Sequence, residues 1–202
     1  MSFSINDFQS VISRRKGIVQ PNKYSIFIDA PNKIPNSFKS ADLNFLAESI
    51  SVPSRSIATA DQKTNGPLRK IARESIYGEL SVEFLMTNDY LAKNFFDSWM
   101  VQVQNDQAYN NSYYDDYIAT IWFASIPSHK DYIVPTQAAS DPDYWAVKIE
   151  EAFPTATGEL SYGYGQNNSY LKLQVTFSYR RWINTNLLDG ITGNPKHPQL
   201  YG

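Results

Sequence analysis

The sequence predicts an all-β protein, a sandwich or barrel, with one α-helix as a cap. Several segments alternate apolar and polar side chains with the period of a half-buried strand. By contrast, residues 91–103 carry a broad apolar stripe at helical spacing. Aromatic residues make up 14% of the chain and charged residues only 19%, a composition typical of β-rich proteins with large contact surfaces.

Length, charge and cysteine content restrict the possible classes of protein. The 202 residues suffice for one substantial core, so we expect a single domain. A net charge of −2 does not favour a nucleic-acid-binding protein, because such domains are strongly basic. The chain has no cysteine, which excludes disulfides and thiolate chemistry. We find neither a bilayer-spanning segment nor a secretory signal, and expect the protein to remain where it is made.

The first predicted element is a short N-terminal helix or arm. Ile5, Phe8 and Ile12 lie at helical spacing, and the pattern ends at a basic cluster followed by Gly17. We therefore assign residues 1–20 to an N-terminal arm.

Two strands and a long loop are predicted next. Residues 23–29 alternate apolar and polar side chains, and residues 43–52 form a second predicted strand that is closed by Pro53. From Pro53 to Ile71 the chain is polar and shows little periodicity. Because this segment is too long for a routine hairpin turn, we expect a functional or flexible loop.

The middle of the chain predicts a strand followed by the main helix. Residues 79–87 alternate, which indicates a strand with one buried face. Asn88 or Asp89 can cap the helix that follows. Its apolar stripe predicts a lid across a sheet and consists of Leu91, Ala92, Phe95, Phe96, Trp99, Met100 and Val103.

Three further strands complete the predicted fold. Residues 117–126 are apolar on both faces, which predicts a strand buried on both sides. Residues 144–153 predict a strand that ends at Pro154, and residues 171–179 alternate most regularly of all. Beyond Ile183 no period is visible, so we expect an extended arm.

Candidate catalytic and metal-binding residues form no convincing arrangement. His129 and His197 lie in Pro-flanked loops without a second ligand at suitable spacing, so we expect them at the surface. Glu150 and Glu151 are neighbours on a predicted strand and point to opposite faces, which favours a solvated edge or an intersubunit salt bridge. The sequence at 163–165, Gly-Tyr-Gly, lacks the third glycine and the helix of a dinucleotide loop. We expect no enzyme activity, no metal and no cofactor.

Basic residues are concentrated in and just after the long polar segment. Lys63, Arg69, Lys70 and Arg73 lie there without interleaved aromatic residues, so nucleic-acid binding has little support. A segment that docks on an acidic patch of a neighbouring subunit fits the charge balance better. A merely solvated loop fits it equally well.

Several motifs occur in a characteristic order along most of the chain. They are the Pro-Asn-Lys-Tyr strand entry at 21–24, the Pro-terminated strand at 49–53, the strand and Asn-Asp pair at 82–89 before the helix at 95–99, the Pro-Thr-Ala-Thr-Gly-Glu-Leu corner at 154–160, and the closing strand at 173–179 with Trp182. In order and spacing, this pattern resembles the tail tube proteins of contractile-tailed bacteriophages. The resemblance covers roughly residues 21–183.

The resemblance implies a structural protein that assembles with copies of itself. It implies hexameric rings that stack into a tube, with strands of neighbouring subunits joined in one multi-chain barrel. Residues 21–183 would form the tail tube domain, and residues 184–202 a C-terminal extension. The implied partners are the tail sheath, tape measure, baseplate tube-initiator and tail terminator proteins. Genomic DNA would pass without specific binding, in a virion tail assembled in the host cytoplasm, and the protein would insert into no membrane.

The resemblance also yields two sets of candidate site residues. Short polar side chains suit a wetted channel that DNA passes without sticking, and the lumen-facing candidates are Ser81, Thr87, Lys172, Gln174, Thr176 and Ser178. The segment 53–72 is expected to stack one ring on the next. Its stacking candidates are Lys63, Asn65, Arg69, Lys70 and Arg73.

Three alternatives remain open at this point. A baseplate tube-initiator of the same family would start the tube, although such relatives carry larger insertions. The inner tube of a phage-derived injection or secretion machine would share the same architecture. A carbohydrate-binding β-sandwich would use the many tyrosine and tryptophan residues as stacking platforms.

Overall fold

The computed structural model describes residues 4–31, 33–34, 42–63, 66–141, 143–165 and 169–185. Strands alternate with few helical segments in this part of the chain. The strands are β1 (Tyr24–Asp29), β2 (Ala47–Ser51), β3 (Arg55–Gln62), β4 (Arg69–Tyr77), β5 (Leu80–Leu85), β6 (Ala119–Ser125), β7 (Trp145–Thr157), β8 (Lys172–Ser178) and β9 (Arg181–Asn184). The helical segments are α1 (Ile5–Arg14), α2 (Asp42–Phe45), α3 (Leu91–Val103), α4 (Tyr114–Tyr117) and α5 (Pro135–Ala138).

The predicted all-β fold with a helical cap is confirmed. The predicted strands at 23–29, 79–87, 117–126 and 171–179 correspond to β1, β5, β6 and β8. The N-terminal helix is α1, which has a Ser4 capping box and no buried residue. None of the described helices is long and apolar enough to cross a membrane.

Seven of the described strands form one sheet in the order β1-β6-β7-β8-β5-β2, with β9 added to β7. All neighbouring pairs are antiparallel. The 13-residue β7 pairs with β6 and β9 along its first part and with β8 along its second part. It therefore divides the sheet into a first layer (β1, β6, β7, β9) and a second layer (β7, β8, β5, β2).

The two layers enclose one aromatic-rich core. Inward-facing residues of β1, β6, β7, β5 and β8 belong to the same buried cluster. The helix α3 packs into it through Ala92, Phe95, Phe96 and Trp99, each at most 1% exposed. The ring centroids of Phe96 and Phe84 lie 4.9 Å apart. The predicted lid is confirmed as a helix whose apolar stripe is buried against the second layer.

The start of α3 differs from the prediction. The N-cap residue is Tyr90, in a left-handed conformation with φ of 54° and no side-chain cap, and not Asn88 or Asp89. The reason is a tight turn in which the Tyr90 N–H donates to the Thr87 carbonyl at 3.0 Å. Asp89 still accepts a long hydrogen bond of 3.4 Å from the N–H of Leu91.

The prediction of an irregular loop from Pro53 to Ile71 is wrong. β3 and β4 form an antiparallel hairpin whose register runs from Arg55 opposite Tyr77 to Gln62 opposite Arg69. No residue of either strand is buried. A strand that buries neither face needs no alternation of apolar and polar residues, so the periodicity that reveals other strands is absent here.

The hairpin continues the second layer beyond the core. Ser51 lies opposite Ser81 in the β2–β5 pair. Immediately beyond, the N–H of Gly78 donates to the Ser54 carbonyl at 3.0 Å, and the β3–β4 pairing begins. The eight residues of β3 span about 26 Å at about 3.3 Å per residue. The hairpin is therefore a long exposed extension of two strands of the second layer.

Three other predicted boundaries are corrected. The predicted strand at 43–52 begins with the helical turn α2, and only Ala47–Ser51 is extended. β7 does not end at Pro154 but continues to Thr157. Proline is tolerated because the β7–β8 register shifts between Pro154 and Ala156, and an irregularity of this kind accepts a residue without an N–H donor. Residues 181–184 cross the predicted boundary between the domain and the C-terminal extension and form the additional strand β9.

Candidate functional site

The outer face of the second layer carries short polar side chains. Ser81 lies opposite Thr176, and Glu83 opposite Gln174, while the alternate residues point into the core. Gln174 Nε2 donates a hydrogen bond of 3.0 Å to Ser81 Oγ, which joins the two strands on this face. The predicted residues that the fold brings together here are Ser81, Lys172, Gln174, Thr176 and Ser178.

Two of the predicted lumen-facing residues have distinct surroundings. Thr87 lies two residues beyond the end of β5, outside the paired strands that form this face, and its hydroxyl donates to the Asp89 carboxylate. Lys172 is on the face but forms an ion pair of 2.8 Å with Glu48. The hydrogen bond from Lys172 lowers the pKa of Glu48, which keeps that carboxylate ionised. The charge of Lys172 is therefore compensated within the chain.

The second layer has two edges without a strand partner in the described part of the chain. β2 pairs only with β5, and the second part of β7 pairs only with β8. The Tyr24 hydroxyl contacts the carbonyls of Ala47 and Glu48 at the start of β2, which leaves residues 49–51 available. Such edges present unpaired N–H and C=O groups that can pair with another chain.

The hairpin forms the other exposed surface of interest. Arg69, Ile71 and Arg73 alternate along β4, and Ile57 and Ile76 are exposed by 58% and 52%. The ion pairs among the described residues include none of the basic candidates Lys63, Arg69, Lys70 and Arg73. The remaining stacking candidate, Asn65, lies outside the described residues. A two-stranded hairpin is marginally stable alone, so its exposed isoleucines favour contact with a partner.

The acidic pair Glu150 and Glu151 is neutralised inside the chain. Glu150 accepts from Arg181 Nε at 2.7 Å, and Glu151 accepts from Arg180 Nη1 at 2.6 Å. The sequence predicts a solvated edge or an intersubunit salt bridge at these residues. The structure instead shows two ion pairs within the chain. The expectation that Glu150 and Glu151 point to opposite faces assumes a regular strand. The strand is irregular here, because Glu151 has a φ of 56° where the β6–β7 register shifts, as in a β-bulge. The hydrogen bond from Arg180 lowers the pKa of Glu151.

His129 and the glycines of the Gly-Tyr-Gly sequence lie in exposed connections. His129 Nε2 lies 3.9 Å from an Asp143 carboxylate that also binds Lys16 at 2.6 Å. His197 lies outside the described residues. Gly163 and Gly165 belong to an exposed connection between β7 and β8. No group of three or more potential metal ligands occurs in the part of the chain that the structure describes.

Comparison with protein-family models decides the family. The model described as "Phage tail tube protein" matches residues 19–185, which includes both layers and the hairpin. The chain belongs to the phage tail tube protein family. The tail tube protein therefore has a structural role, as its motifs predict. No curated protein matches its sequence.

Solved structures show the same tail tube fold in contractile machines. A chain of the anti-feeding prophage baseplate has 15% identity and a TM-score of 0.57, with 84% of this chain and 98% of that chain covered. A chain of the extended PVC sheath–tube complex, from an extracellular contractile injection system, has 14% identity and a TM-score of 0.56, with 90% and 97% covered. A chain of the PVC sheath/tube terminator has 14% identity and a TM-score of 0.55, with 82% and 95% covered.

The structure of this tail tube protein adds residues that sequence reasoning missed. Ser49 and Ser51 of β2 share the outer face of the second layer, and Ser49 Oγ donates to Glu83 at 3.0 Å. Their alternation within the predicted strand at 43–52 was a usable signal. Thr155 Oγ1 donates to the Thr176 carbonyl at 3.2 Å. The sequence gives no signal for Thr155, because it predicts that the strand ends at Pro154.

Proposed function

We propose that this tail tube protein is the repeating subunit of a phage tail tube. Six copies form a ring, the rings stack, and the lumen conducts DNA into the host. The observation that carries this proposal is the second layer, which combines a polar outer face with an edge on each side that has no partner among the described strands.

The directions of the two edge strands support closure of a ring. The strands β7, β8, β5 and β2 are antiparallel in sequence, so β7 and β2 run in opposite directions. If β2 of one copy lies beside β7 of the next copy, the junction is antiparallel as well. Repetition around a ring produces one closed barrel, and closure leaves no strand edge exposed.

The outer face of the second layer supports a lumen that does not retain DNA. Tight binding to the DNA backbone requires uncompensated cations. Ser81, Gln174, Thr176 and Ser178 are uncharged, and Lys172 is paired with Glu48. Such a wall presents hydrogen-bonding groups to water without a net attraction for phosphates.

The partners and the location of the protein follow from the same proposal. The protein is assembled in the host cytoplasm and ends up in the virion tail. It contacts the sheath protein outside, the tape measure protein inside, and initiator and terminator proteins at the two ends. The solved relatives lie in a sheath–tube complex, a terminator complex and a baseplate, which supports sheath and end-cap partners.

Electron microscopy of the purified protein tests the proposal. At high protein concentration we expect hollow tubes built from stacked rings in negative stain. Monomers that persist at every concentration, or a monomer that binds glycans, contradict it.

Lysine substitutions test the lumen assignment. Gln174→Lys and Thr176→Lys add charge at positions that are outside the core, so the protein still folds. We expect tubes that retain linear DNA in co-sedimentation, whereas Gln107→Lys, in an exposed loop, gives tubes that do not. If both lumen variants lose ring formation while Gln107→Lys does not, this face is an intersubunit contact instead.

A baseplate tube-initiator is the second candidate function. It is favoured by the likeness to the chain of the anti-feeding prophage baseplate. Copy number separates the two functions, because an initiator forms one ring per tail and a tube subunit forms many. Quantitative mass spectrometry of purified virions gives the ratio of this protein to the sheath protein.

A further inference from the structure

We propose that an exposed tyrosine cluster is the receptor for the β3–β4 hairpin of a second copy of this chain. The cluster, named here the tyrosine rim, consists of Tyr90, Tyr162, Tyr164 and Tyr170. The inference rests on the proposed function, because it concerns the contact between stacked rings. It assigns the surface on which the hairpin docks and the chemistry of that contact.

Strand directions place the hairpin and the rim at opposite ends of the second layer. The hairpin leaves where β2 ends and β5 begins, beside the pair Ser51 and Ser81. The rim lies where β5 ends and β8 begins, beside the pair Leu85 and Lys172. The hairpin of one chain therefore points away from its own rim. When copies stack head to tail, a hairpin meets the rim of the next copy.

Hydrogen bonds hold three of the four rim tyrosines in position. The hydroxyls of Tyr90 and Tyr162 lie 3.1 Å apart, which joins the start of α3 to the connection between β7 and β8. The Tyr170 hydroxyl donates to Glu48 Oε1 at 3.0 Å, which joins the same connection to β2. A surface anchored on three elements is preorganised for binding, and this lowers the entropy cost of association.

Three of the rim tyrosines have largely exposed side chains. The exposed fractions are 67% for Tyr162, 109% for Tyr164 and 62% for Tyr170. Tyrosine combines a large apolar ring with a polar tip, and it is enriched at protein–protein interfaces. The rim therefore has the composition of an interface.

Charge complementarity selects the hairpin as the occupant. Asp89 and Glu159 lie exposed on the segments that carry the rim, and no described ion pair includes either of them. On the hairpin, Arg69, Ile71 and Arg73 alternate along β4. Guanidinium groups stack on tyrosine rings and bind carboxylates, and the isoleucine covers a ring face. The hydrogen bond from Thr87 lowers the pKa of Asp89, which keeps that carboxylate charged at neutral pH.

Two variants remove one surface each. Tyr162→Ser with Tyr164→Ser removes the rim, and Arg69→Glu with Arg73→Glu reverses the charge of the hairpin. We expect each variant to form rings and to lower the protein found in tubes by at least about tenfold relative to wild type. Tyr164→Ser alone is expected to act in the same direction. Because the Tyr164 ring is fully exposed, misfolding would not explain a loss of tubes.

Control substitutions affect tyrosines away from the rim. Tyr109 and Tyr113 are exposed by 80% and 86%, and they follow α3 in the chain. Tyr109→Ser with Tyr113→Ser is expected to leave tube formation at the wild-type level. Tubes from the rim variant in wild-type amounts, or equal losses in the control, overturn the proposal.

Mixing the two variants tests the pairing itself. Each variant ring keeps one working surface, so a preformed rim-deficient ring can dock its hairpins on the rims of a hairpin-deficient ring. We expect pairs of rings and no longer stacks in the mixture, and single rings in each variant alone. If the mixture contains single rings and no pairs, the assignment of the rim is overturned. If the wild type itself forms no tubes, the proposed function fails, and that result is distinct from tubes that ignore the rim.

Discussion

Trp99 packs in the core and also binds the backbone of the segment before β6. Its side chain is fully buried, and its ring centroid lies 5.7 Å from that of Phe95 and 6.1 Å from that of Phe177. Its Nε1–H donates to the Tyr117 carbonyl at 2.7 Å, which fixes the segment that leads into β6. One residue therefore fills the space between the layers and also satisfies a backbone acceptor.

Trp99→Ala is expected to lower the free energy of unfolding by about 3–5 kcal/mol, because it creates a cavity and leaves the carbonyl without its donor. Urea unfolding followed by circular dichroism measures the change. Val101→Ala in the same helix is the control. Val101 is 43% exposed, so the expected change is within about 0.5 kcal/mol. Equal effects of the two substitutions contradict the buried position of Trp99.

Tyr179 connects the end of β8 to the base of the hairpin. Its hydroxyl donates to the Gly78 carbonyl, and burial raises its pKa to about 12 from the ordinary value of 10.0. A raised pKa in the folded state means that the neutral phenol is favoured by folding. The associated stability is fully present below pH 10.0 and is lost as the pH rises through about 12.

Tyr179→Phe is therefore expected to act in a pH-dependent way. At pH 7 the loss of the hydrogen bond lowers the free energy of unfolding by about 1 kcal/mol. Above pH 10 the difference from wild type narrows, because the wild-type protein loses the contribution of Tyr179. Urea unfolding at a series of pH values measures the difference, with Tyr164→Phe as the exposed control. A difference that grows with pH contradicts the assignment.

At the scale of elements, the hairpin is separable from the folded body. No residue of β3 or β4 is buried, and contact with the body is confined to the base of the hairpin, where Gly78 N–H donates to the Ser54 carbonyl and the Tyr77 ring packs edge-on against Tyr179 and Trp182. Removal of residues 59–72 cuts the hairpin at the paired positions Thr59 and Ala72, and an Asn-Gly turn can close the shortened strands.

The shortened variant is expected to unfold at the wild-type temperature but to form no tubes. Circular dichroism gives the unfolding midpoint, and negative-stain microscopy gives the assembly state. If the unfolding midpoint falls steeply, the hairpin stabilises its own subunit and is not separable from the folded body. Normal tubes from the variant refute the stacking role of the hairpin.

Elements were predictable from sequence where one face is buried. β8 buries Leu173, Val175 and Phe177 and exposes the residues between them, so its alternation is regular. The hairpin escaped prediction because neither of its faces is buried. The continuation of β7 past Pro154 was hidden because only pairing, and not proline itself, shows whether an N–H is needed.

The candidate surfaces were predictable to different extents. The polar face of β5 and β8 follows directly from alternation, since the residues between core positions point outward. The tyrosine rim lies on connections, where no periodicity indicates which residues come together. Its assembly depends on hydrogen bonds such as that between Tyr90 and Tyr162, which join positions far apart in the sequence.

At the scale of the whole molecule, titration predicts a plateau of stability. Hydrogen bonds from neighbouring donors lower the pKa of Glu48, Asp89, Asp143 and Glu151 from ordinary values of 3.8 and 4.5. Burial raises the pKa of Tyr24, Tyr114 and Tyr179 above 10.0. Lowered carboxyl pKa values give stability that is lost as the pH falls, and raised phenol pKa values give stability that is lost as the pH rises.

The thermal midpoint is therefore expected to be nearly constant between about pH 5 and pH 9 and to fall on both sides. Circular dichroism melts across the pH range measure it. Replacement of Arg180 by Gln removes the donor to Glu151 and should weaken the acid-side decline only slightly, because the pair is exposed. A midpoint that rises below pH 4 or above pH 10 contradicts the expected signs.

The continuity between the hairpin and the second layer has a mechanical consequence. Because β2 leads into β3 and β4 leads into β5, a pull on a docked hairpin acts along the axes of β2 and β5. The load acts on β2 and β5 in the same direction, so it is resisted by the hydrogen bonds between β5 and β8, which lie perpendicular to the strands and are loaded in shear together. In the proposed tube, axial tension would therefore pass from the hairpin into the second layer through unbroken covalent chain.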